Sequence, residues 1–247
     1  MSVSLQTTLA VGAIVTGAYT VFGLTGFGAS IMAMPLLAQL IALRVAVPMM
    51  LVFDLCAGSA LAWLNRGAVE RRELVRLLPF MLVGMLLGVT ALIHAPERWL
   101  LLALGLFVLG YAGWSLLVPA SGRSIGVAWA APLGALGGVF TALYGTGGPI
   151  YTIYLARRIA DKRALRASIG SFILMSAVIR LVLFTSAGLY AQGDALHLAA
   201  WLLPCAMLGL YAGSHLHRRL PAQRVAQAIW GLLVVGGTSL IVRALHG

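Results

Sequence analysis

Apolar residues run along this chain in blocks, as in Leu100-Leu101-Leu102-Ala103-Leu104, and do not alternate with polar ones. A barrel wall or half-buried strand needs alternation, so the pattern predicts helices. Six blocks suit one bilayer crossing, which takes about 20 residues at 1.5 Å each: 45–65, 77–96, 99–122, 167–193, 195–217 and 225–242. Two other stretches do not fit. No charged residue precedes Arg44, and a helix over that stretch would reach roughly 65 Å, about twice the hydrocarbon thickness. The uncharged run 124–156 would make a helix of roughly 50 Å, too long for one crossing and short for two. Each must turn where glycines interrupt it, at Leu24-Thr25-Gly26-Phe27-Gly28-Ala29-Ser30 and at Tyr144-Gly145-Thr146-Gly147-Gly148-Pro149. Both read as helical hairpins or broken helices that enter the bilayer.

Three crossings follow each broken stretch, and the two halves, 1–122 and 123–247, match. Leu77-Leu78-Pro79, Gly84, Gly88 and Pro96 recur 125 residues later as Leu202-Leu203-Pro204, Gly209, Gly213 and Pro221. Earlier in each half the offset is 119, pairing Gly26 with Gly145, Gly28 with Gly147 and Arg44 with Arg163. An insertion near Ala191-Gln192-Gly193-Asp194 absorbs the difference. Repeated prolines and repeated GxxxG spacings point to a duplicated unit.

Composition agrees with a chain in lipid. Of the 247 residues, 61% are hydrophobic and 9% charged, and the mean hydropathy is +0.99. A soluble domain carries about a quarter charged residues, so an ordinary cytosolic enzyme is excluded. Glycines and prolines set among leucine and alanine also exclude disorder. The formal charge of +11 would suggest a nucleic-acid surface in a soluble protein. Here the basic residues fall between apolar blocks, the topology signal of a membrane protein, and no nucleic-acid partner is expected. Cys56 and Cys205 lie far apart within apolar blocks, without metal-ligand spacing. The start lacks the basic segment of a signal peptide, so the first block is expected to remain in the mature protein.

Charge also orients the chain. The clusters are Arg66, Arg71, Arg72 and Arg76; then Arg157, Arg158, Lys162, Arg163 and Arg166; then Arg218, Arg219 and Arg224. With these inside and each broken stretch threaded there and back, thirteen of the 17 basic residues, Arg123 among them, face the cytoplasm. Only Arg44, Arg98 and Arg243 face out, a strong inside bias. Both termini are then external, and the second half runs opposite to the first. The expected architecture is an all-α membrane protein of two inverted repeats, each a re-entrant helical hairpin plus three transmembrane helices. Broken helices meeting at the midplane between inverted repeats are a recurrent transporter design.

The stretches GLTGFGASIMAMP at 23–35 and GGVFTALYGTGGP at 137–149 carry a resemblance to the sulfite exporter (TauE/SafE) family of membrane permeases. It extends from about Leu5 to Arg243 and includes both halves. The first stretch has Gly26-Phe27-Gly28-Ala29 where the family often has three glycines. The resemblance implies an inner-membrane permease that moves small sulfur-containing anions, such as sulfite or organosulfonates, usually out of the cytoplasm.

An anion inside lipid needs N–H and O–H donors and a positive potential. Broken-helix N-termini provide both, and Gly26, Gly28, Gly145, Gly147 and Gly148 would let backbone approach it. Thr25, Ser30, Tyr144 and Thr146 add hydroxyls. Close helix packing is the other use of small residues, and it is the preferred reading for Gly84, Gly88, Gly209 and Gly213. Two charges stand mid-span, Asp54 and Arg180. Such charges face a cavity or a partner. Asp54 corresponds by the 119 offset to Ile173, two helical turns before Arg180, so the two charges occupy pseudo-equivalent faces. Arg180 would attract the anion and Asp54 would balance it or carry a proton; a purely structural Asp–Arg pair is the alternative. Glu70, Glu73, Glu97 and Asp161 read as loop residues, and Trp63, Trp99, Trp114 and Trp201 as interfacial anchors. His215 and His217 alone make a poor metal site, and no cofactor is expected. The sequence has no GxxxxGK[ST] phosphate loop and no span with paired carboxylates, so neither ATP hydrolysis nor intramembrane catalysis is supported. A carrier or channel for a carboxylate or metal ion is the competing function, and a homo-oligomer is open.

Overall fold

All regular structure among the described residues is helical. The computed structural model describes residues 5–25, 28–64, 69–117, 124–191, 194–216 and 222–246. Gly26, Asn65, Arg66, Arg123, His217, Arg218 and Arg219 lie outside these, as do the side chains of Thr25, Trp63 and Arg224. The first long stretch is α1 (Leu5–Thr25) and α2 (Ala29–Leu40), followed by α3 (Leu43–Leu64), α4 (Arg71–His94) and α5 (Glu97–Leu117). The second is α6 (Ala130–Tyr144), entered through a 3-10 turn at Val127–Trp129, and α7 (Gly148–Ala156); α8 (Lys162–Ser186), α9 (Asp194–Leu216) and α10 (Ala222–His246) follow. Six helices among the described residues are long and apolar enough to cross a membrane. The breaks come at the two glycine-rich stretches.

Helix ends differ from the ends of the apolar blocks. Arg71, Arg72 and Arg76 stand in the first turns of α4, and Lys162, Arg163 and Arg166 in those of α8, not in loops. A helix continues past the hydrocarbon as long as its backbone bonds and first-turn caps persist. Asp161 accepts from the Ala164 amide at 2.7 Å and so caps α8. Glu73 is likewise not a loop residue. It is buried in the first turn of α4, where its carboxylate receives Arg76 at 2.6 Å, Arg158 at 3.0 Å and the Tyr154 hydroxyl at 2.8 Å. The cluster ties the end of α7 to α4. At the other end α8 stops at Ser186, short of 193, and Gly188 turns the chain with φ +70°.

Helices pack closely through glycines whose spacing recurs in the sequence. α1 packs on α9 and α4 on α6, each pair through glycines that admit no side chain. A Cβ on Gly84 or Gly88 would run into the carbonyls of Ala135 and Val139 on α6; on Gly209 or Gly213 it would meet those of Thr16 and Thr20 on α1. Thr16 and Thr20 precede Ala135 and Val139 by 119 residues, so the two contacts repeat each other. Register gives direction. Gly105 of α5 faces Gly237 and Ile241 of α10, while Ser115 accepts from Trp230 at 3.2 Å, so α5 and α10 are antiparallel. α3 and α8 are also antiparallel: Asp54 meets Arg180, and Gly58 meets Leu174.

Candidate functional site

The two breaks and the two antiparallel helices α3 and α8 converge on one buried place. α6 ends because Gly145 takes a left-handed conformation, φ +72°, which glycine adopts without steric penalty. Its amide donates to the Thr141 carbonyl at 2.8 Å, and the Thr146 amide to that of Phe140 at 3.2 Å, a C-terminal cap. No side chain fits at Gly145, because a Cβ would lie 2.8 Å from both Arg180 Nη1 and Ser30 Oγ. Pro149 then starts α7, where its missing amide hydrogen is harmless. In the first break Gly28 is left-handed, φ +93°. Its counterpart by sequence, Gly147, is not, with φ −70°. The two breaks share a place in the repeat but not a torsional pattern.

At the convergence lies a cavity of about 30 Å³, room for about two waters. Gly28, Ser30, Asp54, Gly145, Thr146, Gly148 and Arg180, all expected from sequence, line it. So do Phe22, Ala29, Ile31, Thr141, Pro149, Ile173 and Ser176. Four pairs in this lining are separated by 119 residues: Phe22 and Thr141, Ala29 and Gly148, Ser30 and Pro149, Asp54 and Ile173. The cavity therefore draws on matching positions of both halves.

Its polar centre is an ion pair. Arg180 is 2% exposed and Asp54 8%; Arg180 Nη2 donates to Asp54 Oδ2 at 2.9 Å. Arg180 Nη1 donates to the Thr141 carbonyl at 2.9 Å, and the Phe184 ring lies 5.9 Å from the guanidinium carbon. Asp54 receives the Tyr19 hydroxyl on Oδ1 at 2.7 Å and the Ser30 hydroxyl on Oδ2 at 3.3 Å. Arg180 Nε is buried without a hydrogen-bond partner. A guanidinium carries five N–H donors, and a buried one left unmatched is costly. The arrangement is neutral overall, fixed on five helices (α1, α2, α3, α6 and α8), and holds a spare donor for an oxygen ligand.

Two expected residues are placed otherwise, while the Thr25 side chain and Gly26 lie outside the described residues. Tyr144 sends its hydroxyl to the Leu100 carbonyl at 2.7 Å and does not line the cavity. Gly147 packs against Thr141 Oγ1 and the Gly137 carbonyl, behind the lining. Thr25 ends α1. Sequence reading missed Tyr19 and Thr141. Tyr19 sits in an uncharged apolar helix where a tyrosine reads as core, and Thr141 acts on Arg180 through its backbone carbonyl, which no side-chain pattern reveals. Thr141 also links the hairpin, its hydroxyl lying 2.9 Å from that of Tyr151.

Comparison with known proteins fits this architecture. Residues 9–240 match the family described as sulfite exporter TauE/SafE. A relative from Comamonas testosteroni, named as the probable inner membrane transporter protein TsaS, is 29% identical over 197 residues, covering 78% of this chain and 81% of its own length. No solved structure matches. The match over nearly the whole chain, with the broken helices and apolar spans described above, makes this protein a member of the sulfite exporter TauE/SafE family of membrane transporters.

Proposed function

We propose that this chain is a secondary transporter of the bacterial inner membrane. It moves small sulfur-containing anions, such as sulfite or short organosulfonates, without nucleotide hydrolysis. The anion binds between the two glycine breaks, and Arg180 provides its charge partner. The single observation that carries this is a fully buried guanidinium with an unmatched Nε at a cavity built from both halves. A buried charge inside a transporter marks the substrate path more often than a scaffold, and guanidinium suits oxyanions because several of its N–H groups point at one ligand. Backbone at Gly28, Gly145 and Gly148, with the hydroxyls of Ser30 and Thr146, completes the donor set. Asp54 balances Arg180 when no anion is bound.

The cavity of about 30 Å³ has room for about two waters. Sulfite has four heavy atoms, so the site widens as one half moves against the other. Antiparallel registers of α3 with α8 and α5 with α10 support an inverted repeat and alternating access by rocking of the halves. The positive clusters support a cytoplasmic location for the α7–α8 turn and external termini.

Proteoliposomes containing the full chain test the reading. Sulfite and short sulfonates should enter at rates well above protein-free vesicles. Arg180→Gln should lower that flux at least tenfold while the protein stays monodisperse. Undiminished flux in the variant would overturn the assignment of the site.

A further inference from the structure

Resting on this anion-transport reading, we infer that Asp54 is a proton site whose loading is coupled to the anion, and that Tyr19 is the positioning residue that lets it hold either charge state. The closed ion pair sums to zero charge. A monoanion entering beside it would leave an unbalanced negative charge in a small buried cavity, a heavy electrostatic penalty. Arg180 Nη2 is also occupied by Asp54 Oδ2. Protonation of Asp54 removes both obstacles. It turns Oδ2 into a weaker, neutral acceptor that an anion oxygen can displace from Nη2, and leaves one positive charge for the anion to cancel.

A neutral carboxyl needs an acceptor for its new hydrogen, and the structure has one ready. The Tyr19 hydroxyl lies 2.7 Å from Asp54 Oδ1 and 3.4 Å from the Met50 carbonyl. With Asp54 ionised, Tyr19 donates to Oδ1. With Asp54 protonated, the Oδ1–H donates to the Tyr19 oxygen and the phenol hydrogen turns to Met50. The proton comes from water on the side to which the site is open, forms the Oδ1–H bond, and returns to water on the other side. No other bond changes.

The neighbours leave Asp54 as the group that switches. Facing it are Tyr19 of α1, Ser30 of α2 and Arg180 of α8. Cys56 is on the same helix, the Tyr151 hydroxyl of α7 is engaged with Thr141, and Tyr190 donates to the Pro48 carbonyl. α6 offers Arg180 only the Thr141 carbonyl. On α9, which packs against α3, Asp194, His197, Tyr211 and His215 are exposed and Cys205 lies against Gly12. Guanidinium stays charged and buried phenols stay protonated at neutral pH, whereas a carboxylate can take up a proton there when its partners change.

The test uses the full chain in proteoliposomes with a pH dye inside and the membrane potential clamped. Methanesulfonate is the main probe, because its own charge does not change with pH; sulfite is the second. Anion entry through the wild type should acidify the lumen with about one proton per methanesulfonate. Asp54→Asn, which keeps an acceptor for Arg180, should lose that acidification and show residual anion exchange that no longer depends on pH. Tyr19→Phe should move the pH midpoint of transport, whereas a packing role would lower the rate equally at every pH. Methanesulfonate entry through the wild type without acidification, or Asp54→Asn acidifying as fast as the wild type, overturns the proton site and leaves anion transport standing. Wild type that carries neither probe overturns the transport reading and this inference with it.

Discussion

Arg180 and Asp54 are each tolerable in lipid only because the other is there. Removing one partner of a buried pair leaves the second charge exposed to low dielectric, a loss of about 3–5 kcal/mol, whereas replacing both with apolar residues is often neutral. Asp54→Ala should therefore destabilise the protein by about that amount, and Asp54→Leu with Arg180→Met should recover most of it, read as unfolding midpoints in detergent. A double variant no more stable than the single one would show that the pair does not hold these helices together. Such charges are easy to see in sequence, since a lone Asp or Arg in an apolar block must face a cavity or a partner. Their partners are harder to see. Tyr19 looks like any core tyrosine until its hydroxyl is found on Asp54, and Thr141 reaches Arg180 by a main-chain atom. Tyr144 is the converse case. It stands beside a glycine break, yet its hydroxyl is directed to α5, because side-chain direction depends on where the helix ends and not on closeness in sequence.

Helices here are joined less by side chains than by their absence. Gly88 brings α4 onto α6 so closely that a Cβ would sit 2.7 Å from the Val139 carbonyl and 2.8 Å from Ala142 Cβ. Backbone cannot yield as a flexible side chain can. Gly88→Ala should cost about 1–3 kcal/mol through overpacking, and Gly213→Ala on α9 should behave alike, since it meets Thr20 of α1 at the matching position. Gly110→Ala on α5 is the control. Nothing lies within 4 Å of its Cβ, so it should be neutral or gain up to about 1 kcal/mol in helix propensity. Equal losses at Gly88 and Gly110, measured by thermal unfolding, would mean that α4–α6 packing is not limited by contact. The spacing of these glycines showed in the sequence, and so did both helix breaks, because a run too long for the bilayer must turn at its glycines. Helix termini did not. Hydropathy marks where lipid ends, while α4 and α8 continue through charged first turns held by Glu73 and Asp161. The torsions of the breaks were hidden as well. Repeat symmetry pairs Gly28 with Gly147, but only Gly28 is left-handed.

Antiparallel pairing of equivalent helices constrains how the whole chain lies in the membrane. If α3 and α8 are copies and run opposite ways, the connections that follow equivalent elements must emerge on opposite faces. The α7–α8 connection, with Arg157, Arg158 and the capping Asp161, and the first turn of α9, which contains His197, are separated by the single long helix α8. One crossing would put them on opposite sides, and the positive-inside bias predicts that the first faces the cytoplasm. Ala160 and His197 are both exposed, so each can carry a lone cysteine once Cys56 and Cys205 are replaced. In intact cells a membrane-impermeant maleimide should label His197→Cys and should reach Ala160→Cys only after the membrane is opened. Labelling of Ala160→Cys in intact cells with His197→Cys protected would invert the orientation but keep the crossing. Labelling of both from one side would remove α8 as a span, and with it the requirement that Arg180 lie at mid-membrane between two oppositely directed halves.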